Sequence, residues 1–174
     1  MKKIIGLVGR ARHGKDTIAD YIIAYTNGLY KRVRLAQSIK DATKCLYGFT
    51  HEQIESDLKE VIDKRWNITP RNAMLFITKT FINEMGVDFF TKSLYMKYDN
   101  NEFGDYIIIP DVRYPHDIEE IRKRDGIIIK VVRNDANLPK HSVEDIIDEF
   151  KADYIIENNG TKDDLYFKID EILK

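Results

Sequence analysis

Nine residues near the start, Gly9-Arg10-Ala11-Arg12-His13-Gly14-Lys15-Asp16-Thr17, leave this chain few folds to choose from. The apolar run Ile4-Ile5-Gly6-Leu7-Val8 precedes them, and Ile18, Ala19, Ile22 and Ile23 follow at helical spacing, so they form the turn of a strand–loop–helix unit. Gly9 and Gly14 let the backbone curl with its N–H groups inward, the dipole of the following helix adds partial positive charge, and Lys15 adds a full one. Such a loop binds phosphate. It follows the pattern GxxxxGK[ST] except at the last place, where Asp16 stands and the hydroxyl comes one residue later, at Thr17. Gly9, Arg12, His13, Gly14, Lys15, Asp16 and Thr17 are therefore the expected phosphate-donor site. Asp16 has two readings, a ligand of Mg²⁺ beside Thr17 or a cap on the first helical turn. The bland alternative for the whole stretch is a glycine-rich turn without a ligand.

With 174 residues the chain is long enough for one domain with a real core. Its 43% hydrophobic and 33% charged residues, with a net charge of -1, argue against disorder, a membrane span and a broad nucleic-acid surface. Cys45 is the single cysteine, which excludes an internal disulfide and a cysteine cluster for zinc and suits a reducing compartment. Arg10 and Arg12 interrupt the apolar start too early for a secretory leader. The expected location is the cytoplasm.

Periodicity predicts the remaining elements. Residues 32–36 alternate weakly as a second strand, 37–48 read as a helix ending at Gly48, and Thr50 to Gln53 look like a capping box. The charged stretch 57–65, ending at Trp66, reads as a mobile insertion. Thr69 and Pro70 open a helix that carries Met74, Ile77, Phe81 and Met85 and stops at Gly86; a further helix covers 88–98. The β-branched run Tyr106-Ile107-Ile108-Ile109 predicts a strand buried on both faces of a parallel sheet. A helix over 115–124, a strand over 127–132, a loop over 134–140, a polar helix opened by His141 to Glu144, a short strand at 154–156 and a helix capped by Thr161 and Asp164 complete the order. The expected fold is α/β, three layers around five parallel strands, with residues 1–36 and 104–174 as the core and 37–103 as a helical acceptor-binding insertion in one domain.

Ligands of open α/β sheets bind where strands end, so Asp111 and Arg113, just after the third strand, emerge at the rim that carries the phosphate loop. Arg71 lies in the first turn of its helix, where a cation opposes the dipole and a purely structural role is poorly motivated; an anionic ligand would relieve it. Arg133 ends a strand on the same rim. Arg122, Lys123 and Arg124 read as the exposed end of a helix. These residues suit phosphoryl transfer, which needs in-line positioning, positive charge and Mg²⁺ on the nucleotide phosphates. Lys15, Arg71, Asp111, Arg113 and Arg133 are the candidate catalytic residues, and Asp16, Thr17 and Asp111 the candidate metal-side residues.

Taken in order, GRARHGKDT, RLAQSIKDA, TPRNAM, IIPDVRYPHDIEEIR, VVRND, HSVE and NNGTKDDL resemble, across nearly the whole chain, the deoxynucleoside monophosphate kinases of bacteriophages and large DNA viruses. That resemblance accounts for Gly-Lys-Asp in place of Gly-Lys-Ser. It implies a P-loop kinase fold and transfer of the ATP γ-phosphate to a deoxynucleoside 5′-monophosphate with Mg²⁺. It further implies that Lys15 holds the β and γ phosphates, Arg71 and Arg113 the acceptor phosphate, and that Lys40, otherwise a solvated charge, lines the acceptor cleft. Asn159, Gly160 and Thr161 would lie near the adenine. Trp66 and Phe76 are candidates for stacking on the acceptor base, with a place in the core as the competing reading. His141-Ser142-Val143-Glu144 departs from the family's His-Ala-Ser-Glu, and Ile77-Thr78-Lys79 lacks a mid-helix glycine. The partners expected are ATP and the acceptor nucleotide, with a second copy of the chain left open and neither nucleic acid nor membrane. Two other readings compete. One is a P-loop kinase of another phosphorylated small molecule, such as a phosphomevalonate kinase; the other is a nucleotide-gated switch, against which stands the lack of an Asn-Lys-x-Asp signature.

Overall fold

The structure, a computed structural model, describes residues 3–134 and 151–174. It divides into two compact units, one holding the residues up to Arg34 together with those from Leu94 onward, the other Leu35–Ser93. In the first, β1 (Ile4–Val8), β2 (Lys31–Arg32), β3 (Ile107–Ile109), β4 (Ile127–Val132) and β5 (Tyr154–Glu157) form one parallel sheet in the order β2-β3-β1-β4-β5. Gly6 sits level with Ile109 on one side and Ile128 on the other, so β1 is enclosed by neighbours and every one of its residues is buried. This is why its sequence is a continuous apolar run rather than an alternating one. Pleating then divides the side chains. Ile5, Leu7, Ile108, Ile129 and Val131 pack with Ile18, Ala19 and Ile22 of α1 (Lys15–Tyr25) and with Leu165 and Ile169 of the C-terminal helix (Lys162–Leu173). Gly6 faces the opposite way, where a Cβ would meet Ile121 of the helix Pro115–Lys123 at 2.5 Å. Helix, sheet, helix is the expected three-layer arrangement.

The second strand is shorter than expected and starts one residue earlier. Only Lys31 and Arg32 pair with β3 as a strand, although the Val33 N–H still donates to the Ile108 carbonyl at 3.0 Å. At the sheet's edge its weak alternation has a single neighbour to follow, and beyond Arg34 the chain enters the other unit. Arg124 also differs from the solvated helix end expected. It pairs with Asp99 at 2.7 Å and Glu120 at 2.6 Å and stacks over the Tyr95 ring at 4.3 Å, locking the helix Pro115–Lys123 to the C-terminal half of the helix Phe89–Asp99. The segments 135–140 and His141 to Glu144 lie outside the described residues.

Numbered in chain order, the helices among the described residues are α1, α2 (Gln37–Tyr47), α3 (His51–Glu55), α4 (Pro70–Met85), α5 (Phe89–Asp99), α6 (Pro115–Lys123) and α7 (Lys162–Leu173), with a 3₁₀ turn at Asp57–Glu60. In the second unit Thr50 and Gln53 close a reciprocal capping box, and Thr69 accepts from the Asn72 N–H with Pro70 opening α4. Phe49, Ile54 and Ala73 form a small core flanked by Tyr47, Ile68 and Met74. The charged stretch expected to be a mobile insertion is instead ordered around one carboxylate. Asp63 accepts from Gln53 at 3.0 Å and from Arg65 Nε and Nη2, each at 2.9 Å, while its N–H donates to the Ile68 carbonyl. Its charges meet opposite charges, which a count of charged residues does not reveal.

Asp63, Asp99, Glu120 and Asp164 are all held below their ordinary pKa values, the first three chiefly by hydrogen bonds from basic side chains and Asp164 by the Thr161 backbone N–H. A depressed folded-state pKa contributes stability that is present above the unfolded value and lost as pH falls through the folded one. The melting temperature is therefore expected to be level between neutral pH and about pH 5 and to drop below about pH 4. Asp99→Asn should lower the plateau and soften the acid drop. A melting profile that rises on acidification would contradict the assignment.

Candidate functional site

The loop after β1 lies where the strand order reverses, since β3 is on one side of β1 and β4 on the other. Such a switch point opens a crevice at the carboxyl ends of the strands. Gly9 has φ 158°, and a Cβ there would lie 2.5 Å from the Val131 carbonyl oxygen; at Gly14, φ 100°, it would lie 2.5 Å from Asn158 Nδ2. Both glycines are thus fixed by close approach of β4 and of the segment after β5, as well as by their dihedrals. Gly14 is the N-cap of α1, and the first turn of an α-helix presents amides that have no acceptor within the helix. The loop therefore has the shape that its spacing predicts.

Lys15 Nζ donates to the Gly9 carbonyl at 2.6 Å and to the Arg10 carbonyl at 2.7 Å. The ammonium thus lies over its own loop, seated on oxygens that a phosphate's oxygens can replace. A cleft of about 430 Å³ opens here, lined by Arg12, Gly14, Lys15, Asp16 and Thr17 from the loop and α1, Arg133 after β4, and Asn158, Gly160, Lys162 and Leu165 around the start of α7. Six of the expected donor-site residues and Arg133 thus share one cavity, whose volume is in the range of small-molecule sites.

Three expected donor-site residues make hydrogen bonds within the protein. His13 is buried, its Nδ1 3.0 Å from the Val131 carbonyl oxygen, and its own carbonyl accepts from Asn158 Nδ2 at 2.9 Å. It ties the loop to β4 and to the segment after β5, so its ring has an anchoring part. Asn159 turns its side-chain oxygen to the Asn134 N–H at 2.7 Å, and the neighbour Asn158 lines the cleft instead. Thr161 caps α7 in a reciprocal box with Asp164. Sequence reasoning missed Asn158 and Lys162. Asn158 was within reach as the residue beside a predicted strand end, whereas nothing in its spacing marks Lys162.

Asp16 makes a pairing that neither of its two sequence readings includes. Its carboxylate Oδ1 accepts from Arg34 Nη2 at 2.8 Å and lies 3.8 Å from Arg32 Nη1; no side-chain cap bond is made at this helix start. On the other side of β1, Asp111 and Arg113 follow β3 at the same carboxyl edge. Asp117, itself buried, accepts from the Arg113 and Tyr114 N–H groups, both at 3.0 Å, and so fixes the turn between β3 and α6. Arg113 is exposed, and its side chain makes no ion pair among the described residues.

In the second unit, Arg71 pairs with Glu60, Nε to Oε1 2.5 Å, both side chains about half exposed (47% and 52%). The opposed helix dipole is relieved by that carboxylate, so the premise that Arg71 lacks a structural partner is corrected. Exposed pairs of this kind contribute about 0 to 1 kcal/mol, which leaves the guanidinium able to exchange Glu60 for another anion. Lys40, expected on composition to be solvated, is largely covered and paired with Glu55 at 2.5 Å. Trp66 and Phe76 are 48% and 63% exposed, so neither belongs to the core. The Trp66 indole N–H donates to the Tyr47 carbonyl at 2.8 Å and its ring meets Tyr47 edge-on, which holds the ring's attitude.

Residues 44–169 match the family model described as deoxynucleotide monophosphate kinase. A protein of Acanthamoeba polyphaga mimivirus, provisionally designated a deoxynucleotide monophosphate kinase, is 27% identical over 183 aligned positions that cover 95% of this chain and 93% of the other. The deoxynucleotide monophosphate kinase of Enterobacteria phage T4 is 25% identical over 91% of this chain and 66% of its own length; that of Escherichia phage RB69 is 35% identical over 46% and 33%. Among solved structures, TT1252 from Thermus thermophilus superimposes with a TM-score of 0.55 at 14% identity, covering 99% of this chain and 96% of the other. The shikimate kinase of Aquifex aeolicus does so with 0.53 at 12% identity, over 98% and 95%. At such identities the structural likeness speaks for the fold, an α/β P-loop kinase fold. No helix among the described residues is long and apolar enough to cross a membrane.

Proposed function

The chain belongs to the deoxynucleotide monophosphate kinase family, and from that membership we propose that it transfers the γ-phosphate of ATP to a deoxynucleoside 5′-monophosphate, giving ADP and the diphosphate. The observation that carries this reading is the cleft in which Lys15, Arg12 and Arg133 meet the first turn of α1. These three cations, with Lys162 as a fourth, and a helix N-terminus in one cavity answer the charge of a triphosphate. Asn158, Gly160, Lys162 and Leu165 line the same cavity and offer a purine with its ribose an apolar contact and polar edges.

Acceptor binding is assigned to Arg113, at the end of β3, and to Arg71 on α4, with Lys40 shaping the second unit through Glu55 and with Trp66 and Phe76 offering ring faces to a base. Phosphoryl transfer asks the protein for alignment and charge more than for covalent chemistry, and guanidinium groups on the acceptor phosphate supply both. Asp111 is suited to order the attacking phosphate's surroundings or metal-bound water. Among the described residues no three metal-ligating side chains cluster, while Thr17 offers a hydroxyl in the cleft and Asp111 a carboxylate at the same sheet edge. That oxygen-only set fits Mg²⁺ held mainly by nucleotide phosphates and water. When bound, Mg²⁺ would neutralise charge on the β and γ phosphates.

The test is ADP release from ATP and Mg²⁺ with a panel of deoxynucleoside and ribonucleoside monophosphates, and with phosphomevalonate as the non-nucleotide control. Turnover with at least one deoxynucleoside monophosphate is expected. ADP formed only with the non-nucleotide phosphate would refute the reading.

A further inference from the structure

Asp16 occupies the place where the phosphate-loop pattern calls for a hydroxyl, and its carboxylate is spoken for. Arg34 Nη2 donates to Oδ1 at 2.8 Å, and Arg32 approaches the same oxygen at 3.8 Å while its Nη2 bonds the Asp16 carbonyl at 3.3 Å and also the Asp20 carboxylate. Both guanidinium groups are largely covered, with side-chain exposures of 23% and 30%, against 66% for Asp16. The set joins the first turn of α1 to the end of β2. Arg32 is held at three points and serves as a strut. Arg34 differs, because Asp16 is its sole hydrogen-bond partner among the described residues, and a guanidinium has five donors.

Arg34 also stands where an acceptor-side cation is useful. It follows β2, whose parallel neighbour β3 ends in the segment bearing Asp111 and Arg113, so Arg34 and Arg113 leave adjacent strands at one carboxyl edge. Arg133 and the cleft lie on the far side of β1. Asp16, which borders the donor cleft, thus joins the donor loop through Arg34 to the β2–β3 half of the edge. A hydroxyl residue at this position is neutral and offers a guanidinium no opposite charge.

We infer that Asp16 is a positioning residue whose carboxylate aims Arg34 at the acceptor phosphate, and that it does not ligate the metal; the inference rests on the kinase reading above. Arg34 then binds substrate, with Asp16 acting through it. Loss of either partner has one consequence, a poorly bound acceptor, while ATP binding and the need for Mg²⁺ persist.

The test uses the full chain and five variants, Asp16→Asn, Asp16→Ser, Arg34→Gln, Arg34→Lys and the double variant Asp16→Asn/Arg34→Gln. Steady-state constants are measured for both substrates over a range of free Mg²⁺, with calorimetric binding of Mg²⁺·ADP and thermal melts alongside. Arg34→Gln and Asp16→Asn are each expected to raise the acceptor KM about 10-fold or more, with ATP KM, Mg²⁺·ADP affinity and half-saturating Mg²⁺ within about 2-fold of the parent. The double variant should be no worse than the poorer single one, because the two residues act as one unit. Arg34→Lys, which keeps charge without the fork, should recover part of the loss. A shift of about 10-fold in the Mg²⁺ requirement or in Mg²⁺·ADP affinity of Asp16→Asn, with Arg34→Gln unaffected, would overturn the inference. Additive losses, or an unchanged acceptor KM in both single variants, would do so as well. A parent protein inactive on every nucleotide would instead strike the kinase reading itself.

Discussion

Lys15→Ala is expected to lower kcat by about 10³-fold or more, with the melting temperature nearly unchanged. The ammonium donates to the Gly9 and Arg10 carbonyls, and Lys15 itself lines a cleft that water can fill. Its removal therefore leaves solvated carbonyls rather than a buried, unsatisfied pair. The chemistry has no such substitute. Charge moves onto the bridging oxygen between the β and γ phosphates as the transferred group leaves, and a full positive charge in a partly enclosed site is worth much more there than in water. Lys15→Arg should rescue little, since a planar fork cannot take the seat of a compact ammonium between two carbonyl oxygens 2.6 and 2.7 Å away. ADP release in a coupled assay, with thermal melts to verify the fold, measures both halves. Turnover above about a tenth of the parent would mean that the loop is not the donor site.

What could be read in advance, and what could not, follows from where the information resides. The donor loop was legible because its constraints are local, with two glycines, a lysine and a helix start within nine residues. The buried strands were equally plain, since Ile107 to Ile109 must be apolar on both faces of a parallel sheet. Partnerships across the chain were not. Asp16 meets Arg34 and Arg32 from 16 to 18 residues away, Asp63 gathers Gln53 and Arg65, and Arg124 reaches back to Asp99. Periodicity marks which face a residue occupies, yet it does not say which opposite charge waits there. The same gap explains Asn158 against Asn159. The two residues follow β5 and take different partners, Asn158 the cleft and the His13 carbonyl, Asn159 the Asn134 N–H, and a motif match does not tell such neighbours apart. Trp66 and Phe76 were ambiguous for a different reason, because an aromatic residue at helical spacing suits a core as well as a surface.

Arg113→Ala and Arg71→Ala are each expected to reduce kcat/KM for the acceptor by about 10² to 10³-fold, with little change in the KM for ATP. The two should nevertheless differ in kind. Arg113 is exposed and leaves a turn that Asp117 holds through two backbone N–H groups, so its removal should cost almost no stability and the turn should persist. Arg71 begins with a partner, since Glu60 occupies its Nε at 2.5 Å. An acceptor phosphate must take the place of that carboxylate, and a dianion with several acceptor oxygens competes well against a half-exposed pair worth about 0 to 1 kcal/mol. Glu60→Gln removes the competitor while keeping the side chain's size. It is therefore expected to lower the acceptor KM, by about 2- to 5-fold, at unchanged kcat, the converse of Arg71→Ala. Kinetic constants for the three variants on one deoxynucleoside monophosphate distinguish the possibilities. If Glu60→Gln instead raises the acceptor KM as Arg71→Ala does, the carboxylate is holding the guanidinium in place for the substrate rather than competing with it. If neither residue's loss affects the acceptor, Arg71 serves only to secure the 3₁₀ turn to the start of α4.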